Sequence, residues 1–375
     1  MKKSLAMAVL IALLIPQAFA LRTGDRATEV QGTFVRGFSF RFVPINSEQR
    51  KNGKIKVLIC FNAWLESSRE FVPLISQLAQ KYEKTVKFMM ATSDGRPDTE
   101  RFAKDFPDLK VSIAGSAKTS VDQYMSGSML YPKAFVIDKA GTIVWDGEVI
   151  DLVEALERIT SGKFDLEKNK KLSKLVDELQ TAMRSGDEQT GSRAAEEILK
   201  IEPGHSAAIR LRTFMLESIN RNKDAYLLLE QQKKLLPKSN KIHLYMLDFV
   251  LRHEEFGDCC TMVLRGLDGS DAQRPQKMMM LWRALLARPL DPVLLSYGCE
   301  STAAYVQADA ASAFPKEERR LLLTLRALLA YRTGNLAQAV NFQTQAIAIP
   351  GVEEDPVLKA LLDYYSTAMR LGAVK

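Results

Sequence analysis

The chain has 375 residues, 46% of them hydrophobic and 26% charged, a length that is enough for two ordinary domains. Its formal charge of +7 comes from acids and bases interspersed throughout, without a basic stripe interleaved with aromatics, which argues against a nucleic-acid footprint. His205, His243 and His253 lack ligand spacing, and neither a Gly-x-x-x-x-Gly-Lys-Ser/Thr phosphate loop nor a His-Glu-x-x-His zinc motif occurs, so no metal or cofactor is expected.

At the N-terminus Lys2 and Lys3 precede an apolar run from Leu5 to Ile15, and Ala18-Phe19-Ala20 supplies a small-x-small cleavage pattern, so residues 1–20 read as a secretory signal peptide. No cysteine follows to carry a lipid, and no later apolar run reaches the ~20 residues that span a bilayer. The expectation is a soluble exported chain, periplasmic or extracellular, without stable membrane insertion.

Residues 21–164 alternate strand and helix signals, as an α/β domain does. Val57-Leu58-Ile59-Cys60-Phe61 has the length of a buried central strand. A helix is predicted from Ser68, with Phe71, Leu74, Ile75, Leu78 and Tyr82 at helical spacing. A strand follows over 86–91, then helices near 99–105 and 119–125, strands over 134–137 and 142–145, and a helix over 152–160.

Cys60-Phe61-Asn62-Ala63-Trp64-Leu65-Glu66-Ser67-Ser68-Arg69-Glu70, followed by Pro73-Leu74, aligns without gaps on the strand, Trp-Cys-x-x-Cys-Arg and Pro-Leu pattern of exported thioredoxin-like disulfide reductases. Tyr131-Pro132 and the residues to Trp145 resemble the cis-proline loop and following hairpin of the same family, the TlpA/ResA or redoxin kind. That resemblance covers about 140 residues and implies a thioredoxin-like fold in which Pro132 is cis and faces the redox turn, where it helps to bind substrate backbone. It also implies a degenerate site, because Leu65 and Ser68 stand where the family has its two cysteines. Thiol exchange needs an accessible, acidic thiolate, and neither leucine nor serine supplies one.

Ser67 and Glu70 have the Ser-x-x-Glu spacing of a capping box, so the former redox turn Leu65-Glu66-Ser67-Ser68 is expected to cap a helix; the alternative is that Glu66, Ser67 and Ser68 bind a ligand. A serine nucleophile lacks a base, since no histidine precedes His205. Cys60 falls in the apolar strand and is expected to pack as a small hydrophobe. Cys259 and Cys260 are adjacent on a predicted helix; one of them pairs with Cys299 in a disulfide or all are free thiols.

Over residues 165–375 strand signals vanish and the pattern is amphipathic helix throughout. Pro203 and Pro237 lie 34 residues apart, each closing a helix, which is the period of a tetratricopeptide array. Ala327 to Ala339, with Gly334 at a turn, then Ala346 and Pro350, resembles that consensus; the stretch 258–314, with Pro275, Pro289 and Pro292, departs from it. Met278-Met279-Met280 would fan around a helix, as core residues do rather than copper ligands. Asp355 and Pro356 supply an N-cap and first-turn proline for a last helix. The fold expected is thus an α/β thioredoxin-like domain followed by an all-α tetratricopeptide-like repeat domain. Its expected function is binding a protein or peptide partner without catalysis, the alternative being a thiol-disulfide oxidoreductase that uses a non-standard cysteine.

Overall fold

The computed structural model describes residues 20–267, 274–312, 314–350 and 356–372. The signal peptide expected at 1–20 lies almost wholly outside them, as does the expected cap Asp355. The chain divides into two compact units, one ending at Ile219 and the other beginning at Asn220.

The first unit is built on a six-stranded sheet: β1 (Thr33–Arg36), β2 (Ile55–Cys60), β3 (Val86–Ala91), β4 (Ser112–Gly115), β5 (Lys133–Ile137) and β6 (Ile143–Glu148), in the spatial order β1-β4-β3-β2-β5-β6. β2 runs parallel to β3 and antiparallel to β5, so the chain crosses over between β2 and β3 and returns as a β5–β6 hairpin. Helices α1 (Ser47–Asn52), α2 (Glu66–Glu70), α3 (Val72–Lys81), α4 (Arg96–Asp105), α5 (Lys118–Met125) and α6 (Leu152–Thr160) connect these strands or follow them.

β2 is apolar on consecutive residues because both faces of the sheet are covered. Val57, Ile59 and Phe61 bury into a cluster with Ile75, Leu78, Phe102, Leu152 and Leu156. Leu58 and Cys60 point the other way, toward Met89, Tyr124 and Phe135. Each such side chain, fully withdrawn from water, contributes roughly 1.5–3 kcal/mol.

The unit extends beyond the change of composition at 164/165. Helices α7 (Leu166–Ser185), α8 (Glu188–Ile201) and α9 (Ser206–Ser218) form a layer whose core joins Leu172, Leu175, Val176, Leu179, Ile198 and Leu211 to Leu130, a residue of the sandwich. Compactness therefore groups these helices with the sheet, although their composition matches the helices that follow.

The second unit is helical throughout its described residues: α10 (Asn222–Leu235), α11 (Asn240–Arg252), α12 (Cys260–Gly266), α13 (Arg274–Ala287), α14 (Pro292–Ser312), α15 (Lys316–Arg332), α16 (Leu336–Ile347) and α17 (Pro356–Gly372). Helices adjacent in sequence pack on each other, α15 on α16 and α16 on α17 among them. Gly334, at φ +82°, makes the tight turn between α15 and α16, and the Asn335 side chain caps α16 by accepting from Gln338 N at 3.2 Å. Ala339 and Ala346 are fully buried, as small residues are where helices approach closely. No described helix is long and apolar enough to cross a membrane.

Candidate functional site

β2 ends at Cys60, whose ladder partner on β5 is Lys133. The segment after Cys60 and the segment before Lys133 consequently emerge at the same end of the sheet. The structure brings together there the turn Leu65-Glu66-Ser67-Ser68 and the pair Tyr131-Pro132, whose peptide bond is cis. Trp64, on the turn, is 70% exposed.

The turn is not organised as a Ser67/Glu70 capping box. Leu65, in an extended conformation (φ −80°, ψ 124°), occupies the N-cap position of α2 without a side-chain cap, and Ser67 is already inside the helix. Ser68 N donates to Leu65 O at 3.0 Å, and the helix, beginning at Glu66, starts two residues too early for Ser67 to serve as its cap. The serine that does bond locally is Ser68, fully buried, whose Oγ accepts from Asn62 N at 3.3 Å. The helix expected from Ser68 is also split. α2 stops at Glu70, and Pro73 lies in the first turn of α3, where its missing N–H breaks no helical bond.

Residues not singled out from the sequence hold this turn. Asp94 Oδ2 accepts from Ala63 N at 2.6 Å and from Thr92 Oγ1 at 2.7 Å. Arg69 Nη1 donates to Ala63 O at 3.2 Å, and its guanidinium lies 5.1 Å from the centre of the Phe106 ring. At the start of β5, Lys133 Nζ pairs with Asp146 Oδ2 of β6 at 2.8 Å, both side chains almost wholly buried. Asp146 Oδ1 accepts from Thr23 N and Oγ1 at 3.0 and 2.7 Å and from Ser173 Oγ at 2.7 Å. Burial alone would raise the Asp146 pKa, but the Lys133 charge and these hydrogen bonds outweigh it and hold the acid at about 2.

None of the four cysteines lies in the turn Leu65-Glu66-Ser67-Ser68. All four cysteines are free. Cys60 is fully buried, and desolvation pushes its thiol up to about 12 against the opposing pull of Lys133. Cys260 is buried and raised to about 11 for the same reason. Cys259 Sγ accepts from Tyr226 OH at 3.3 Å. Cys299 sits exposed on α14, and the disulfide alternative is not formed. Met278 is fully buried whereas Met279 is exposed, so the methionine run fans around α13. Among the described residues no group of three or more His, Cys, Asp or Glu side chains could hold a metal ion.

No family model matches the chain, and no curated protein matches it. Solved structures match its N-terminal part. One described as a thiol:disulfide interchange protein, DsbE, from Chlorobium tepidum is 20% identical over 38% of this chain and 98% of its own, with a TM-score of 0.31. The thioredoxin domain of a thiol-disulfide oxidoreductase from Bacteroides vulgatus is 17% identical over 37% of this chain and 99% of its own, with a TM-score of 0.31. A thiol:disulfide interchange protein from Bacteroides sp. is 19% identical over 37% and 91%, with a TM-score of 0.30. The strand order and the β5–β6 return define the first unit's sheet as a thioredoxin-like α/β fold, and the described residues after α6 are all helical.

Proposed function

We propose that the chain is an exported, non-catalytic thioredoxin-like protein that binds a protein or peptide partner, with its helices acting as a tetratricopeptide-like scaffold. The observation that carries this reading is the redox turn itself. Leu65 and Ser68 occupy the two thiol positions, Ser68 is buried and bonded to Asn62, and the nearest cysteine in the chain, Cys60, is a buried thiol raised to about 12. A site of this composition has no group to attack a disulfide at neutral pH.

Binding remains chemically open at the same place. Ser128 N donates to Met125 O, Met129 N to Gln180 Oε1 and Leu130 N to Ser128 Oγ, while Lys133 enters the β5 ladder. The main-chain N–H and C=O of Tyr131 have no hydrogen-bond partner among the described residues. They offer one rung on which an extended peptide can pair.

The test is reduction of a small disulfide substrate by residues 21–375 beside a Leu65→Cys/Ser68→Cys variant. An inactive native protein and an active variant support a redox fold without its chemistry. Activity in the native protein would overturn the reading in favour of a thiol-disulfide oxidoreductase with a non-standard cysteine. Capture of an envelope partner by residues 21–375 but not by residues 21–219, which keep the first compact unit whole, would support the helices from Asn222 onward as its binding surface.

A further inference from the structure

The loop that carries Tyr131 is gripped from one side by the helical layer of its own unit. Gln180, on α7, is a buried polar side chain whose Oε1 accepts from Met129 N at 2.7 Å. One turn further on, Arg184 donates through Nη1 to Gly127 O and through Nη2 to Thr181 Oγ1 at 3.0 Å. Between these two anchors and the buried Lys133–Asp146 pair, Leu130 inserts among Leu172, Val176 and Leu179, where it is 2% exposed. Ser173, also on α7, bonds Asp146. Four points along 20 residues of one helix thus fix the loop on both sides of Tyr131.

A short loop carrying a docking rung is ordinarily among the more mobile parts of a fold, and its ordering on binding weakens the complex. Here that ordering is already supplied by α7. Gly127 completes the arrangement. Its φ of +68° is one that residues with a Cβ rarely adopt, and it lets the carbonyl face Arg184.

We propose that α7 is a built-in clamp that presets the peptide-docking loop, with Gln180 and Arg184 as positioning residues that tune how well an extended peptide pairs with Tyr131. This rests on the peptide-binding reading given above. Neither side chain touches the ligand; each acts through the main chain of residues 127–129.

The test uses residues 21–375 carrying Leu65→Cys together with Cys259→Ser and Cys299→Ser, so that one accessible thiol stands at the head of α2. Its thiolate attacks the mixed disulfide of a cysteine-containing hexapeptide with thionitrobenzoate. The protein–peptide disulfide forms, the original S–S bond breaks, and thionitrobenzoate leaves as a coloured thiolate. The same reaction with the mixed disulfide of cysteine methyl ester, too short to reach the Tyr131 rung, is the reference.

The peptide is expected to react faster than the ester, and Gln180→Ala or Arg184→Ala to remove about fivefold of that advantage, the worth of one ordinary hydrogen bond, while leaving the ester rate unchanged. Gln180→Glu, which keeps the acceptor, should restore it. An unchanged peptide advantage in folded Gln180→Ala and Arg184→Ala proteins would overturn the clamp and leave the binding reading standing. Absence of any peptide advantage in the parent would overturn both. Arg184 is exposed, so its variant carries the test even where Gln180→Ala does not fold.

Discussion

Replacing Lys133 by methionine probes the buried pair beside the Tyr131-Pro132 loop. Lys133 and Asp146 lie 2.8 Å apart with side chains 5% and 6% exposed. The Asp146 acid is held at about 2 against an ordinary value of 3.8, a depression of nearly two units at about 1.4 kcal/mol each, or roughly 2–3 kcal/mol of stability at neutral pH. Removing the cation also leaves a buried carboxylate served only by Thr23 and Ser173, so the full loss should be about 3–5 kcal/mol. Because the folded-state pKa is depressed, this stabilisation is present above about pH 4 and fades as pH falls toward 2. In Lys133→Met, burial is no longer opposed by a charge, and the Asp146 pKa should rise above its unfolded value. The gap between the two proteins should therefore shrink on acidification. Urea unfolding of residues 21–375, followed by the fluorescence of Trp145 next to Asp146, measures it at pH 7, 5 and 3. Adding Asp146→Leu to the variant should recover at least half of the loss, since the orphaned charge is then gone. A loss under about 1 kcal/mol at pH 7, or a gap that does not change with pH, would refute the reasoning.

Native alkylation followed by mass spectrometry should label Cys299 first and leave Cys60 unmodified at pH 8, where a buried thiol at about 12 is almost wholly protonated. A fragment of residues 21–219 should melt cooperatively, whereas 21–164 should bind a hydrophobic dye and melt broadly, because it uncovers Leu130 and deprives Asp146 of Ser173; calorimetry separates the two outcomes. Gly127→Ala should lower stability by about 1 kcal/mol in denaturant unfolding, since it forces a Cβ into a left-handed conformation 3.4 Å from Arg184 Nη1.

The parts of the fold legible in the sequence are those with local signals. The run Val57 to Phe61 marks a strand buried on both faces, and the helical spacing of Leu74, Ile75 and Leu78 marks the helix behind it. β1 and β4 carry no such signal: Thr33–Arg36 and Ser112–Gly115 are four residues each, and β1 is an edge strand paired on one side. The Ser-x-x-Glu pattern at Ser67 fails as a cap because backbone geometry, with Leu65 extended, starts α2 before it. A capping motif in sequence specifies which bonds are available, not which residue leaves the helix. The buried charges next to the Tyr131-Pro132 loop are not legible in the sequence for a different reason. Lys133 opens the otherwise apolar strand Lys133–Ile137, and Asp146 follows the apolar run Ile143-Val144-Trp145. Their meaning lies in Thr23 and Ser173, which are distant in sequence and meet them only in the packed fold.

That Cys60 stands alone in the first unit has a consequence for how the unit is made. Cys60 is the one cysteine before Asn220, so a polypeptide ending there has no second thiol with which to form a disulfide within the chain. Its route to the native state passes through no bridge that must be formed, shuffled or corrected. It needs neither an oxidant nor a disulfide isomerase, and it should reach the same end point in a reducing cell interior as in an oxidising extracytoplasmic space.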